Sequence, residues 1–333
     1  MKAMLLRRHA PMTSRPLEET DLPTPEPAPG ELLLRVSICG VCRTDLHVIE
    51  GDLPTAKLPI IPGHQIVGTV ERLGEGCTRF RPGDRVGVAW LRHTCGRCEF
   101  CRRGNENLCR DSLYTGYHAD GGYAEQAVVP EAYAYPIPDG FADEHAAPLL
   151  CAGIIGYRAL ARADLPQGGR LGLYGFGSSA HVVLQIALHR GSEVYVATRG
   201  ESHRELARRM GASWVGGTFD APPVALDSAI VFAPAGPVVP AALRAVGPGG
   251  TVSLAGIHMT PIPEMEYESC LFHEKNLRSV EANTRADGQA LLREAAEIPI
   301  RPEVTSFPLR EANDVLVALK EDRVDGTGLL VCK

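Results

Sequence analysis

Four of the chain's ten cysteines fall in one short stretch, "CGRCEFCRRGNENLC". Cys95, Cys98, Cys101 and Cys109 are spaced C-x2-C-x2-C-x7-C, with Gly96 and Gly104 to relax the backbone. Such spacing lets thiolates converge on one tetrahedral Zn²⁺. Four sulfurs fill its coordination and leave no position for substrate or water, so the site is of the structural kind. Arg97, Arg102, Arg103 and Arg110 lie in or beside the loop and could offset the surplus negative charge. Two other readings use the same residues: reduced, unliganded thiols, or a zinc knuckle whose arginines hold nucleic-acid phosphates.

A second set of ligands is dispersed. "GVCRTDLH" contains Cys42, Thr44, Asp45 and His47, "IPGHQIVG" contains His64, and "PLLCAG" contains Cys151. Taken singly, each cysteine or histidine is more easily a core residue than a ligand. Together Cys42, His64 and Cys151 form a Cys2His set that leaves one position of a tetrahedral zinc open, as catalysis requires. Cys39 and Cys42 also make a C-x-x-C. A thioredoxin-type pair opens a helix in a βαβ setting, and none is expected here.

The third feature is "LGLYGFGSSAH", which places Gly175, Gly177 and Ala180 in G-x-G-x-x-A form between a strand and a helix. The first glycine allows the tight turn, the second admits a pyrophosphate, and Ala180 is small enough for helix–strand packing. The helix N-terminus then offers free N–H groups to the phosphates. NAD enzymes carry an acidic residue about twenty positions further on. Here that place reads "VATRG", with Thr198 and Arg199. No carboxylate stands there to repel a 2′-phosphate and Arg199 could pair with one, so NADP(H) is favoured over NAD(H), with Glu201 close by.

The elements that must position these residues fall into two patterns. To about residue 140 the chain reads as β-rich, with "ELLLRVSI", "IVGTVERL" and the turn-and-strand "RPGDRVGV". "DLPTPEPAPG" is a connector whose prolines exclude a helix. Asp143 is placed to cap the helical run that follows it. Strands and helices then alternate: "GGRLGLYGFG", "SSAHVVLQIALHRG", "EVYVATR", "ESHRELARRMG", "DSAIVFAP", "PVVPAALRAVGPGG" and "TVSLAGI". That order implies a parallel sheet covered on both faces. Two more helical runs and the strand-like "GTGLLVC" close the chain. The expected class is α/β: residues 1–150 with 283–333 form one domain, carrying a lobe at about 90–112, and residues 151–282 form an inserted doubly wound domain.

The bulk properties agree with a globular protein. The 333 residues are 44% hydrophobic and 22% charged, with a formal charge of −6. An acidic chain argues against nucleic acid as the main partner. No apolar run approaches a membrane span. The start, "MKAMLLRRHAPM", has too short an apolar stretch for a signal peptide, which points to the cytoplasm. There thiols stay reduced and a cysteine cluster binds metal.

On "GVCRTDLH", "PGHQIVG", the four-cysteine lobe, "PLLCAG" and "YGFGSSAH", the chain resembles the zinc-dependent medium-chain alcohol dehydrogenases over essentially its whole length. The resemblance implies a GroES-like catalytic domain with an inserted Rossmann domain. It implies catalytic zinc on Cys42, His64 and Cys151, and structural zinc on Cys95, Cys98, Cys101 and Cys109. Thr44 and His47 match the proton relay, Asp45 the partner of the ligand histidine, and Arg43 a pyrophosphate contact. Phe176, Ser178, Ser179, Gly256 and Ile257 join the cofactor-binding set. Trp90 matches an aromatic wall of the substrate site. Leu53 stands where yeast-type enzymes have tryptophan, which suggests a wider pocket for medium-size aliphatic or aromatic alcohols and aldehydes; the alternative is that Leu53 and Trp90 are packed core. The family's usual Glu after the ligand histidine is Gln65 here. The resemblance further implies a homodimer or homotetramer. Other readings on the same scaffold are a zinc reductase of other carbonyls or conjugated C=C bonds, and a non-catalytic zinc- and nucleotide-binding relative.

Overall fold

The computed structural model describes every residue except Pro299, Asp325 and Lys333. It divides into two compact units, Met1–Cys151 with Ala282–Ala296 and Arg301–Lys333, and Ala152–Glu281 with Glu297–Ile300.

The first unit is built on a seven-stranded sheet. Its spine is the antiparallel pair Glu31–Gly40 and Gln65–Leu73, flanked by Thr327–Val331 on one side and Arg85–Val88 on the other. The C-terminal strand thus completes a sheet begun some three hundred residues earlier. Leu32, Leu34, Val36, Ile66, Val70, Val86 and Val88 form one buried cluster under it. Each such side chain contributes about 1.5–3 kcal/mol relative to exposure. Gly40 and Gln65 are cross-strand partners, so the two strands deliver the Cys42 and His64 segments side by side.

The helix Arg43–Glu50 begins directly after Cys42 and ends at Gly51, whose φ of 81° gives it the left-handed conformation that only glycine adopts readily. The C-x-x-C segment therefore does open a helix, contrary to expectation. The strand before it belongs to an antiparallel sheet, and Cys39 is fully buried in the core, so it is not a thioredoxin arrangement. Asp143 also departs from expectation. It is the first residue of the helix Asp143–Pro148, with Ala142 at the cap position. Its carboxylate instead accepts from the Ser37 hydroxyl at 2.5 Å and faces Arg85 Nε at 3.2 Å, fixing the helix to the sheet.

The second unit holds six parallel strands in the spatial order Trp214–Gly216, Glu193–Ala197, Arg170–Tyr174, Leu226–Val231, Val246–Leu254, Asn276–Ser279. Numbered along the chain this is 3-2-1-4-5-6, the doubly wound order. Its switch point lies between Arg170–Tyr174 and Leu226–Val231, and ligands of such sheets bind at the carboxyl ends of the strands there. Among the described residues no helix is long and apolar enough to cross a membrane.

Candidate metal centres and dinucleotide turn

Cys42, His64 and Cys151 come together within the first unit, their donor atoms all within 4.8 Å of one another. Cys42 Sγ lies 3.4 Å from His64 Nε2 and 4.0 Å from Cys151 Sγ. A tetrahedral zinc with bonds of about 2.3 Å to sulfur and about 2.0–2.1 Å to nitrogen spaces its donors by about 3.5–3.8 Å. Cys151 sits in a π-helical turn, Leu149–Gly153, entered just after Pro148. Such a turn widens the helix locally and is frequent at functional sites.

His64 is oriented from behind. Its Nδ1 is 3.0 Å from Asp45 Oδ1, which leaves Nε2 facing the sulfurs. Asp45 Oδ2 accepts from the Cys42 backbone N–H at 2.9 Å and from the Tyr123 hydroxyl at 3.0 Å. Asp45 and His64 are 1% and 0% exposed, so this is a dry network. Gly63 admits the Tyr123 ring: a Cβ there would meet it at 2.3 Å.

The donor set suits a divalent cation. The hydrogen shared with Cys151, and then burial, push the Cys42 thiol well above its ordinary value. Burial pulls His64 down, but the Cys42 sulfur and the Asp45 carboxylate outweigh it and raise the imidazole to about 10. The cluster therefore attracts positive charge, which a metal supplies as it displaces the protons. The neighbouring Gln65 is fully buried, and neither atom of its amide has a protein partner. A buried amide without a protein partner is costly and singles out this position next to His64.

The four lobe cysteines also converge, with donor atoms within 4.8 Å. Backbone N–H groups point at the sulfurs, from Cys98 to Cys95 at 3.3 Å, from Cys101 to Cys98 at 3.5 Å and from Cys95 to Cys109 at 3.4 Å. N–H donors from Arg97 and Cys98 lower the Cys95 thiol to about 7, favouring a thiolate there, whereas burial and then the shared hydrogens of Cys98 and Cys109 raise Cys101 to about 11. Of the lobe arginines, Arg103 pairs with Glu99 at 3.9 Å.

Thr44 and His47 lie on the helix that Cys42 opens, and His47 Nδ1 is 2.8 Å from Asp52 Oδ2. Arg43 pairs with Asp322. Trp90 meets the His64 ring edge-on at 5.0 Å and stacks with Tyr114 and Tyr117 at 5.0 and 5.7 Å. The Tyr117 hydroxyl donates to the Pro54 carbonyl, next to half-buried Leu53.

In the second unit, Gly175 has a φ of 92°, and a Cβ on it would come within 2.9 Å of Ala233 N on the neighbouring strand's continuation. Nothing stands within 4 Å of a Cβ on Gly177, so that side of the turn is open to a ligand. The helix Ser178–His189 starts there, with Ala180 fully buried. Thr198 is buried and Arg199 exposed. The Glu201 carboxylate is held by Arg204 at 2.7 Å and Arg208 at 3.0 Å along its own helix. Ile257 is 59% exposed beyond the fifth strand, and Gly256 packs against the His258 carbonyl. These features fit a nicotinamide dinucleotide at the Gly175–Gly177 turn.

Sequence reasoning missed Tyr123, Tyr114 and Tyr117, and it missed Glu106, whose carboxylate takes hydrogen bonds from Arg285. None has a local motif; each is defined by a partner far along the chain.

Comparison with known proteins gives the family. Residues 28–139 match the alcohol dehydrogenase GroES-like domain and residues 180–297 the zinc-binding dehydrogenase family. A Mycobacterium tuberculosis protein named "Probable alcohol dehydrogenase AdhA" is 52% identical, covering 99% of this chain and 97% of its own. The cinnamyl alcohol dehydrogenase SbCAD4 of Sorghum bicolor superposes with a TM-score of 0.88 at 28% identity, over 99% of this chain and 97% of that one. Acetophenone reductase from Geotrichum candidum, solved with NAD, gives 0.87 at 25% identity, over 99% and 96%. The chain belongs to the zinc-dependent medium-chain alcohol dehydrogenase family and is an oxidoreductase acting on alcohols with a nicotinamide cofactor.

Proposed function

We propose that the protein interconverts medium-size aliphatic or aromatic alcohols and their aldehydes, with NADP(H) preferred to NAD(H) and two zinc ions per chain. The observation that carries this reading is the convergence of half-buried Cys42 and Cys151 with buried His64, three donors with no fourth among the described residues, the histidine oriented by Asp45. When bound, zinc polarises the substrate oxygen and the nicotinamide exchanges the hydride. The chain's own residues do the rest. Thr44 and His47 carry the alcohol proton away from the site, and Asp52 orients His47 through Nδ1. Trp90, stacked on two tyrosines and set against His64, is a rigid wall for a flat or apolar substrate, with Leu53 leaving width. In the second unit the segment Gly175, Phe176, Gly177, Ser178, Ser179 and Ala180 holds the dinucleotide, with Gly256 and Ile257. Thr198 and Arg199 receive the adenosine end. The involvement of Glu201 with Arg204 and Arg208 supports the NADP(H) preference, because it occupies the nearest carboxylate. The four-cysteine lobe holds its zinc for structure alone. The working form is a cytoplasmic homodimer or homotetramer.

The test is loss of nicotinamide absorbance on mixing the protein with an aromatic aldehyde, with NADPH and NADH in parallel, before and after zinc chelation. Chelator-sensitive turnover that is faster with NADPH is expected. Faster turnover with NADH would overturn the assignment of Arg199. Turnover that survives removal of both metals would overturn the catalytic zinc.

A further inference from the structure

His9 follows the strand Lys2–Leu6 and meets the helix Arg43–Glu50 at the end where that helix stops. In a continued helix the Asp52 N–H would reach the Val48 carbonyl. It bonds the His47 carbonyl at 3.0 Å instead, which leaves Val48 as one of the orphaned acceptors of a helix end. His9 takes over that carbonyl, with Nδ1 3.0 Å from the oxygen. A carbonyl can only accept, so Nδ1 carries the proton. Nε2 of the neutral ring then accepts from the Thr55 hydroxyl, 2.9 Å away. The ring lies against Gly51, where a Cβ would come within 3.0 Å of its Cγ. One side chain thus joins Val48 to Thr55 across the turn between them.

That turn carries Leu53 and Asp52, whose carboxylate is 2.8 Å from His47 Nδ1. Neither residue lies in a helix or strand, so their placement depends on the limbs of the turn. The far limb is tethered by the Tyr117 hydroxyl on the Pro54 carbonyl and by Lys57 on Asp120 at 2.6 Å. His9 ties the two limbs to each other. A phenylalanine would fill the space of the ring, yet it would take the donor from the Val48 carbonyl and the acceptor from Thr55, so packing alone does not explain a histidine here. We propose that His9 is a positioning residue for the proton exit: by clasping Val48 and Thr55 it closes the Gly51–Thr55 turn and keeps the Asp52 carboxylate on His47 Nδ1. This rests on the reading that Thr44 and His47 carry the alcohol proton.

The experiment uses zinc-replete full-length protein with benzyl alcohol and the faster of the two nicotinamide cofactors. It measures the single-turnover rate of cofactor reduction at neutral pH, KM for the alcohol, and amide hydrogen exchange over residues 48–57. The variants are His9→Phe, Thr55→Val, Thr55→Ser, Asp52→Asn, and His9→Phe combined with Asp52→Asn. His9→Phe is expected to slow reduction about fivefold, the scale of one hydrogen bond, with KM close to the parent and faster exchange in the segment. Thr55→Val should act in the same direction to a smaller extent, and Thr55→Ser, which keeps the hydroxyl, should match the parent. In the Asp52→Asn background His9→Phe should cost nothing further, because its effect passes through Asp52. Zinc content should be unchanged throughout. The same fivefold loss in that background would overturn the proposal and reduce His9 to packing. So would exchange in His9→Phe as slow as in the parent. If Asp52→Asn slows reduction and His9→Phe does not, only the role of His9 falls. If Asp52→Asn leaves the rate unchanged, the relay reading falls and the proposal with it.

Discussion

Asp45 serves three donors with two oxygens: the imidazole of His64, the backbone N–H of Cys42, and the hydroxyl of Tyr123. One carboxylate thus orients two of the three proposed zinc ligands, from two different stretches of sequence. Partners of this kind change metal affinity by about 10–100-fold when lost. Asp45→Asn keeps the shape but turns an amide N–H₂ toward donors, so it should weaken catalytic zinc by that amount in competition with a chromophoric chelator. Tyr123→Phe should cost less, since two of the three bonds survive. If Asp45→Asn held zinc as tightly as the parent, Asp45 would be packing only. Arg199 is a second single-residue matter. On the proposed NADP(H) preference, replacing it with Asp puts a carboxylate where the 2′-phosphate would lie. The expected loss in kcat/KM with NADPH is about 10–100-fold, the range of one charge-assisted contact, with NADH little changed.

At the scale of elements, the lobe is tied to the helix Arg285–Glu297 by one pair. Glu106 takes hydrogen bonds from the Arg285 backbone N–H at 2.8 Å and from its guanidinium at 2.6 Å, while that guanidinium lies over the Tyr133 ring at 4.6 Å. Burial pushes the Glu106 carboxyl up, but the hydrogen bonds from Arg285 outweigh it and the net shift is downward. A carboxyl depressed in the folded state stabilises above its unfolded value, and that contribution fades as pH falls through the folded value. Glu106→Gln should therefore lower stability by about 2 kcal/mol at neutral pH, a buried-pair loss discounted for the partly exposed arginine. The gap between parent and variant in urea titrations should narrow below about pH 4. An equal gap at all pH values would mean that Glu106 acts by shape, not charge. This pair also shows where sequence reading stops. The cysteine spacing, the glycine turn and the strand–helix alternation are local patterns, and they were legible. Glu106 and Arg285 are 179 positions apart, and Tyr123 and Asp45 are 78 apart, so only the closed sheet reveals them. The π-turn under Cys151 was hidden for another reason: Pro148 signals a break, but not that the helix resumes wider by one residue.

For the whole molecule, the two proposed metal sites should fail independently, because different forces hold their surroundings. The first site is embedded in the sheet core: His64 is fully buried, and Ile66, Val67 and Val88 beside it are each at most 1% exposed. Most of the lobe lacks such support. From Cys95 to Asn105 no residue is buried, and the first buried side chain after them is Glu106, which belongs to the clamp. A segment with so little core depends mainly on its ligands for its shape, so there metal binding is folding energy. Cys98→Ser should therefore lose one zinc per chain and melt at a lower temperature. Cys151→Ser should lose the other zinc and all turnover while melting close to the parent. Elemental analysis and thermal melts on the two variants decide the matter. Cys151→Ser melting as early as Cys98→Ser would show that the catalytic metal also holds the fold. Cys98→Ser keeping both metals would mean that three sulfurs suffice and the lobe has support beyond its ligands.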